Sequence, residues 1–233
     1  GVTADWREGH ALLAARVHEL PAAVARTAAR ALVPLALGDR PVRRIVATGV
    51  GSSAAHAALL VHELRRAGRD AMVVPLSNFL APPTTAPDDV LVVFSQGCSP
   101  NARLALEAPE LWRRVVLVTA VTDTHRLAVL RAAGVVVQTI DGADEFGTLV
   151  RITGPMTGYV MALRLAPLLG GPVAPDFDGL KDTFDTLVAP TVSADHLAAP
   201  LGFVTSGSYG DVVQNLQYKI MEGLLLPMPP VWD

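Results

Sequence analysis

Arg44-Ile45-Val46-Ala47-Thr48-Gly49-Val50-Gly51-Ser52-Ser53 runs from a short apolar strand pattern into a glycine-serine turn, and Ala54 to Arg66 follow with apolar residues at helical spacing. The same order recurs at Val90-Leu91-Val92-Val93-Phe94, where Ser95-Gln96-Gly97-Cys98-Ser99 is the turn and Pro100-Asn101-Ala102 opens the helix. Ser99 suits an N-cap and Pro100 the first helical position. The first N–H groups of a helix lack an intrahelical partner and carry the positive end of its dipole, so such turns fit an anion. Neither turn matches a dinucleotide fingerprint or a Walker loop, and an ordinary capped turn accounts for either one alone. Two of them in successive units of one sheet point to a phosphorylated small molecule.

Working outward, strands are predicted near 44–49, 71–75, 90–94, 115–119 and 135–139, and helices near 53–67, 99–113 and 124–133. Near-continuous Val/Ile/Leu strands alternating with helices predict an α/β fold, a parallel sheet with helices on both faces. Ahead of it, Trp6 to Ala31 reads as helical and Pro21 interrupts it, giving two helices or one kinked helix. Residues 81–85 read as a surface loop. Behind the sheet, a helix is predicted from about Thr148 to Leu169, ended by Gly170-Gly171-Pro172, and another near 176–189. Leu201 to Thr205 then reads as a new strand, Ser206 to Gly210 as a turn and Asp211 to Leu225 as a helix, a second strand-turn-helix unit.

Composition narrows the function. Apolar residues make up 51% of the 233, and the net charge is -3 with both signs interspersed, so no basic stripe addresses nucleic acid or anionic lipid. The longest apolar run, near Tyr159 to Leu169, is broken by Arg164 and is too short to span a bilayer. Asp5, Arg7 and Glu8 precede any apolar run, which does not read as a signal peptide, and a single cysteine allows no intrachain disulfide; together these predict a cytoplasmic protein. The six histidines show no metal-ligand spacing, and no metal or cofactor is predicted. His56 is expected to pack on its helix or cap a neighbouring loop. Ser208 lacks the Gly-x-Ser-x-Gly elbow, which argues against a serine hydrolase. Cys98 lies near a helix N-terminus that would favour its thiolate, but a packing role is the simpler reading.

Lysine is scarce: of 19 basic residues only Lys181 and Lys219 are lysines. Lys219 and Glu222 are three apart and share a helix face, a spacing that a solvated ion pair also explains.

Taken in order, these motifs resemble the sugar isomerase (SIS) domain family, and in particular the two-SIS isomerase half of glucosamine-6-phosphate synthase. Val17-His18-Glu19-Leu20-Pro21 is similar to the Glu-x-Pro segment before the first SIS unit, and Gly51-Ser52-Ser53 with Ala54-Ala55-His56-Ala57 to the first phosphate turn. Ser95-Gln96 resembles the start of the Ser-x-Ser-Gly-x-Thr loop, Glu145-Phe146-Gly147-Thr148 the Glu-Ile-Gly-Val segment, and Tyr209 with Lys219-Ile220-Met221-Glu222 the helix bearing the catalytic carboxylate. The likeness implies a flavodoxin-like three-layer fold with two SIS units. It divides the chain into a helical segment (1–34), a first SIS domain (35–170), and a linker helix with the start of a second, incomplete unit (171–233).

The chemistry implied is aldose–ketose isomerisation of a sugar phosphate through an enediol, with Glu222 as base and Lys219 as its cationic partner. Gly51, Ser52, Ser53, Ser95, Gln96, Ser99, Asn101 and Thr148 would bind the ligand and its phosphate, with Glu145 and Cys98 in support, in a homodimer. Gly97-Cys98 departs from the family's Ser-Gly, Val150 stands in place of a ligand-contacting serine, Asn215 in place of a glutamate, and the ring-opening histidine and second lysine would fall after Asp233. A non-catalytic sugar-phosphate sensor, or an enzyme cleaving a C–N bond in a specialised pathway, are the alternatives.

Overall fold

The computed structural model describes residues 6–81, 84–145, 150–180, 182–183, 203–204, 213, 215–217, 219–221 and 228–232. Five parallel strands in the order β2-β1-β3-β4-β5 form its sheet: β1 (Ile45–Thr48), β2 (Ala71–Val73), β3 (Val90–Phe94), β4 (Arg114–Thr119) and β5 (Val135–Thr139). All five lie where the apolar runs predict. Register is set by pairs such as Ile45 with Val90 and Leu91 with Val115, which keep the apolar set of each strand in line with its neighbour's.

Burial on both faces explains why the strands are apolar throughout. Ile45, Ala47, Val90, Val92, Val116 and Val118 pack under α2 (Ser52–Arg66) and α5 (Thr153–Leu165). Their neighbours Val46, Leu91, Val93, Leu117 and Val137 meet Phe79, Cys98, Leu106, Trp112 and Leu127 on the opposite side. α1 (Trp6–Ala29) forms an outer layer through Leu20 and Val24 against Val160 of α5. It passes Pro21 as one helix. Arg26 and Arg30 both reach the Asp141 carboxylate at 2.7 Å, fixing α1 to the end of β5.

Two expectations need correction. The helix predicted over 99–113 is only α3 (Pro100–Leu104), because Pro109 restricts Ala108 to a non-helical conformation (φ -128°) and a 3-10 turn (Pro109–Leu111) takes over. The helix predicted from Thr148 begins at Thr153 and gives way to a 3-10 turn at Pro167–Leu169. Of the two readings of Pro21, the single helix is the one found: α1 runs through it as one element, Pro21 withholding one N–H from the ladder. α4 (Thr124–Ala132) matches its prediction, and Asp123 caps it.

Further along, β6 (Phe203–Val204) pairs in parallel with β7 (Val231–Trp232) as a separate two-stranded sheet, and residues 213, 215–217 and 219–221 are helical. Among the described residues no helix is long and apolar enough to cross a membrane.

Candidate functional site

In this strand order the chain reverses its direction of travel between β1 and β3, and the carboxyl ends of strands at such a switch point open a crevice. A cavity of about 660 Å³ lies there. Val50, Ser52 and Ser53 line it from the turn after β1, and Ser95, Gln96, Gly97 and Ser99 from the turn after β3. Val121, Thr122, Asp123 and Arg126 come from the turn after β4, and Arg151 and Lys219 complete it.

Local sequence shapes both serine turns. A Cβ on Gly49 would stand 2.4 Å from the Ser53 carbonyl oxygen, so only glycine lets α2 start this close to β1. Gly51, with φ 59° and ψ -131°, turns the chain into α2. In the second turn Cys98 takes the left-handed conformation (φ 46°), its N–H donating to the Ser95 carbonyl at 3.1 Å. Its side chain is buried in the sheet-face core, a packing role. The Arg126 guanidinium donates to the Cys98 carbonyl and so braces this turn. Ser99 caps α3 by accepting from the Ala102 N–H at 3.4 Å, as its position predicts.

Gln96 lines one wall, and Glu145 stands wholly buried behind it. The Gln96 amide donates to the Gly142 carbonyl (2.8 Å) and to the Glu145 carboxylate (3.2 Å). That carboxylate, wholly buried, also accepts the backbone N–H groups of Ile152 (2.6 Å), Thr153 (2.8 Å) and Gly154 (2.7 Å). It thus satisfies the open end of α5, and Ile152, one of the residues it holds, directly follows Arg151 in sequence.

A polar chain joins the first turn to the late helical residues. Ser52 Oγ donates to Asn215 Oδ1 (2.8 Å), and Asn215 Nδ2 donates to Tyr159 Oη (3.1 Å). Tyr159 meets the His56 ring edge-on with centroids 4.7 Å apart, and His56 Nε2 donates to the Pro155 carbonyl at 2.7 Å. Burial lowers the His56 pKa to about 4; the Pro155 hydrogen bond opposes this and the Lys219 charge adds to it. His56 is therefore neutral at pH 7. Burial raises the Tyr159 phenol, while the Asn215 amide pulls it back.

Of the residues singled out from sequence, Ser52, Ser53, Ser95, Gln96, Ser99 and Lys219 line the cavity. Asn101 is exposed on α3 and is not among the lining residues, and Gly51 shapes its turn from just outside them. Thr148 and Glu222, with Tyr209, lie outside the described residues. Thr122, Asp123, Arg126 and Arg151 are lining residues that the motifs do not mark. The strand order holds the signal for three of them, since the turn after β4 adjoins the switch point; Arg151 is hidden among 17 arginines.

No family model and no curated protein matches this sequence. Solved structures do. The C-terminal domain of glucosamine-fructose-6-phosphate aminotransferase from Francisella tularensis aligns over 93% of this chain and 68% of its own, with a TM-score of 0.59 and 13% identity. Tagatose-6-phosphate ketose/aldose isomerase from Escherichia coli aligns over 99% and 68%, with a TM-score of 0.61 and 16% identity. A Salmonella typhimurium LT2 protein described as sugar-binding aligns over 95% and 74%, with a TM-score of 0.65 and 18% identity. The chain has the SIS fold. Its cavity occupies the switch point of the five-stranded parallel sheet, and the resemblance carried by the ordered motifs holds at the level of that fold.

Proposed function

We propose that the protein binds a sugar phosphate in the switch-point cavity and interconverts its aldose and ketose forms. The observation that carries this reading is the cavity's lining: among the described residues, four serines from two successive turns, with Arg126, Arg151 and Lys219 against the carboxylate of Asp123. Hydroxyls suit phosphoryl and sugar oxygens alike, and the excess of cations suits an anion.

In the reaction a base takes the proton from C2 of the aldose while its carbonyl oxygen gains one, giving an enediol. The base then returns the proton to C1 while the C2 hydroxyl gives up its own proton, replacing the one that the C1 oxygen took, and becomes the ketone. Glu222 is assigned as base from its place one turn beyond Lys219 in the motif, and Lys219 as the cation that steadies the enediolate oxygen. Ser52, Ser53, Ser95 and Ser99 orient the phosphorylated end, Gln96 and Glu145 hold the wall, and Thr148 lies in the motif adjoining it. Residues 35–170 are the first SIS unit and 171–233 open a second, acting as a cytoplasmic homodimer. The fold neighbours include a ketose/aldose isomerase, which supports the reading.

A binding protein without turnover is the second reading. Asn215 favours it: the position that carries a glutamate in the resembling motif is here a neutral amide, held between Ser52 and Tyr159. Proton NMR in heavy water with hexose and hexosamine 6-phosphates separates the two. Deuterium appearing at C1 or C2, and vanishing in Glu222→Gln with binding retained, supports the isomerase; ligand line broadening without exchange supports the binding protein.

A further inference from the structure

The two serine turns spend many of their backbone donors on themselves. In the first, the Ser53 N–H goes to the Val50 carbonyl and the Ala54 N–H to the Gly51 carbonyl. In the second, the Cys98 N–H goes to the Ser95 carbonyl, the Ser99 N–H to Ser95 Oγ and the Ala102 N–H to Ser99 Oγ. α3 is only five residues long, so it adds little dipole. At the second turn the charge of a bound phosphate must therefore be met mainly by side chains.

Among the described residues three cations line the cavity, and the proposed chemistry assigns Lys219 to the reacting end of the sugar. Arg126 and Arg151 remain. Arg126 uses one of its five N–H donors on the Cys98 carbonyl, which fixes its half-buried guanidinium at the mouth of the second serine turn. Asp123, the carboxylate nearest in sequence, accepts at Oδ1 from the backbone N–H groups of His125 (3.0 Å) and Arg126 (3.1 Å), capping α4. Arg151 leads into α5 beside the backbone that Glu145 anchors.

We infer that Arg126 and Arg151 form a guanidinium clamp that supplies the dominant charge-assisted contacts to the ligand's phosphoryl group. The inference rests on the sugar-phosphate reading of this cavity. Guanidinium matches phosphate oxygens as a fork, whereas serine hydroxyls only orient them, so removing an arginine weakens anion binding more than removing a serine.

The test is calorimetric titration with inorganic phosphate and with fructose 6-phosphate at fixed ionic strength. Arg126→Met, Arg151→Met, Arg126→Lys and the Ser53→Ala/Ser95→Ala pair are compared with Arg131→Met, which removes the same charge from an exposed site on α4 outside the cavity. The expected result is at least a tenfold loss of phosphate affinity in each Arg→Met clamp variant, a smaller loss in the serine pair, partial recovery in Arg126→Lys, and no more than a twofold change in Arg131→Met. Arg126→Lys keeps a donor for the Cys98 carbonyl and Arg151→Met leaves that turn intact, so a misfolded Arg126→Met cannot decide the matter. Phosphate affinity within twofold of the parent in Arg151→Met and Arg126→Lys, an equal loss in Arg131→Met, or no phosphate binding by the parent would each overturn the clamp. Arginine-dependent phosphate binding with no hydrogen exchange at C1 or C2 would leave the clamp standing and sink the isomerase reading. Exchange with an unaltered fructose 6-phosphate affinity in the arginine variants would do the reverse.

Discussion

Ser52 Oγ donates to Asn215 Oδ1 at 2.8 Å, tying the first residue of α2 to the helical residues that bring Lys219 to the cavity. Asn215 is buried and passes the link on to Tyr159. Truncating it to alanine strands two polar partners, at about 1–3 kcal/mol of stability. In urea unfolding, Asn215→Ala is expected to cost that much and Ser52→Ala less. The double variant should fall short of their sum by about 1 kcal/mol. Strict additivity would show that the bond is not a working tether.

Gly158 is read from sequence only as one apolar-helix residue, yet it is the floor for a ring. A Cβ there would stand 2.2 Å from His56 Cε1 and 2.5 Å from Nδ1. Because Tyr159 and Phe94 flank the same imidazole, it has little room to retreat. Gly158→Ala is expected to destabilise by about 1–3 kcal/mol. Adding His56→Ala to that variant removes the obstructing ring, so the pair should unfold at higher denaturant than Gly158→Ala alone. A double variant weaker than the single would contradict the steric account.

The sheet and its turns are legible in the chain because each depends on contiguous residues: five apolar runs mark five strands, and Ser99-Pro100 marks a helix start. The extent of α3 is not, since a local pattern favouring helix through 113 loses to Pro109, a single residue whose effect falls on its predecessor. In the cavity, Ser52, Ser53, Ser95 and Ser99 are visible because they sit in a motif. Arg126 and Arg151 are visible only in three dimensions, brought in by strand order and by a turn anchored on Glu145. Glu145 itself can be picked out by resemblance, but its task of closing the N-terminus of α5 depends on a turn that sequence does not reveal.

His56 gives stability a pH dependence. Its pKa falls from 6.5 when exposed to about 4 when folded, chiefly through burial, so the unfolded chain binds the extra proton. Stability is then fully present above about pH 6.5 and is lost as pH falls through the folded value, with roughly 3 kcal/mol at stake for a shift of this size. Urea unfolding between pH 7 and 4 should show this slope, and His56→Gln should flatten it. An unchanged slope in that variant would assign the acid sensitivity to other groups.

Glu145 and Gln96 couple the cavity wall to α5. Among the described residues the carboxylate meets the Gln96 amide and three backbone N–H groups at the start of that helix. Glu145→Gln keeps the shape but replaces one acceptor oxygen with an NH2 that faces donors, which should cost roughly 3 kcal/mol or more in a site closed to water. Gln96→Leu, which spares those backbone bonds, should cost less in stability and register instead as weaker binding of fructose 6-phosphate, because the second serine turn loses its bonds to Gly142 and Glu145. Urea unfolding and calorimetry on the two variants check the division. Were Glu145→Gln as stable as the parent, the carboxylate would not be what closes α5, and the wall beside Arg151 would need another anchor.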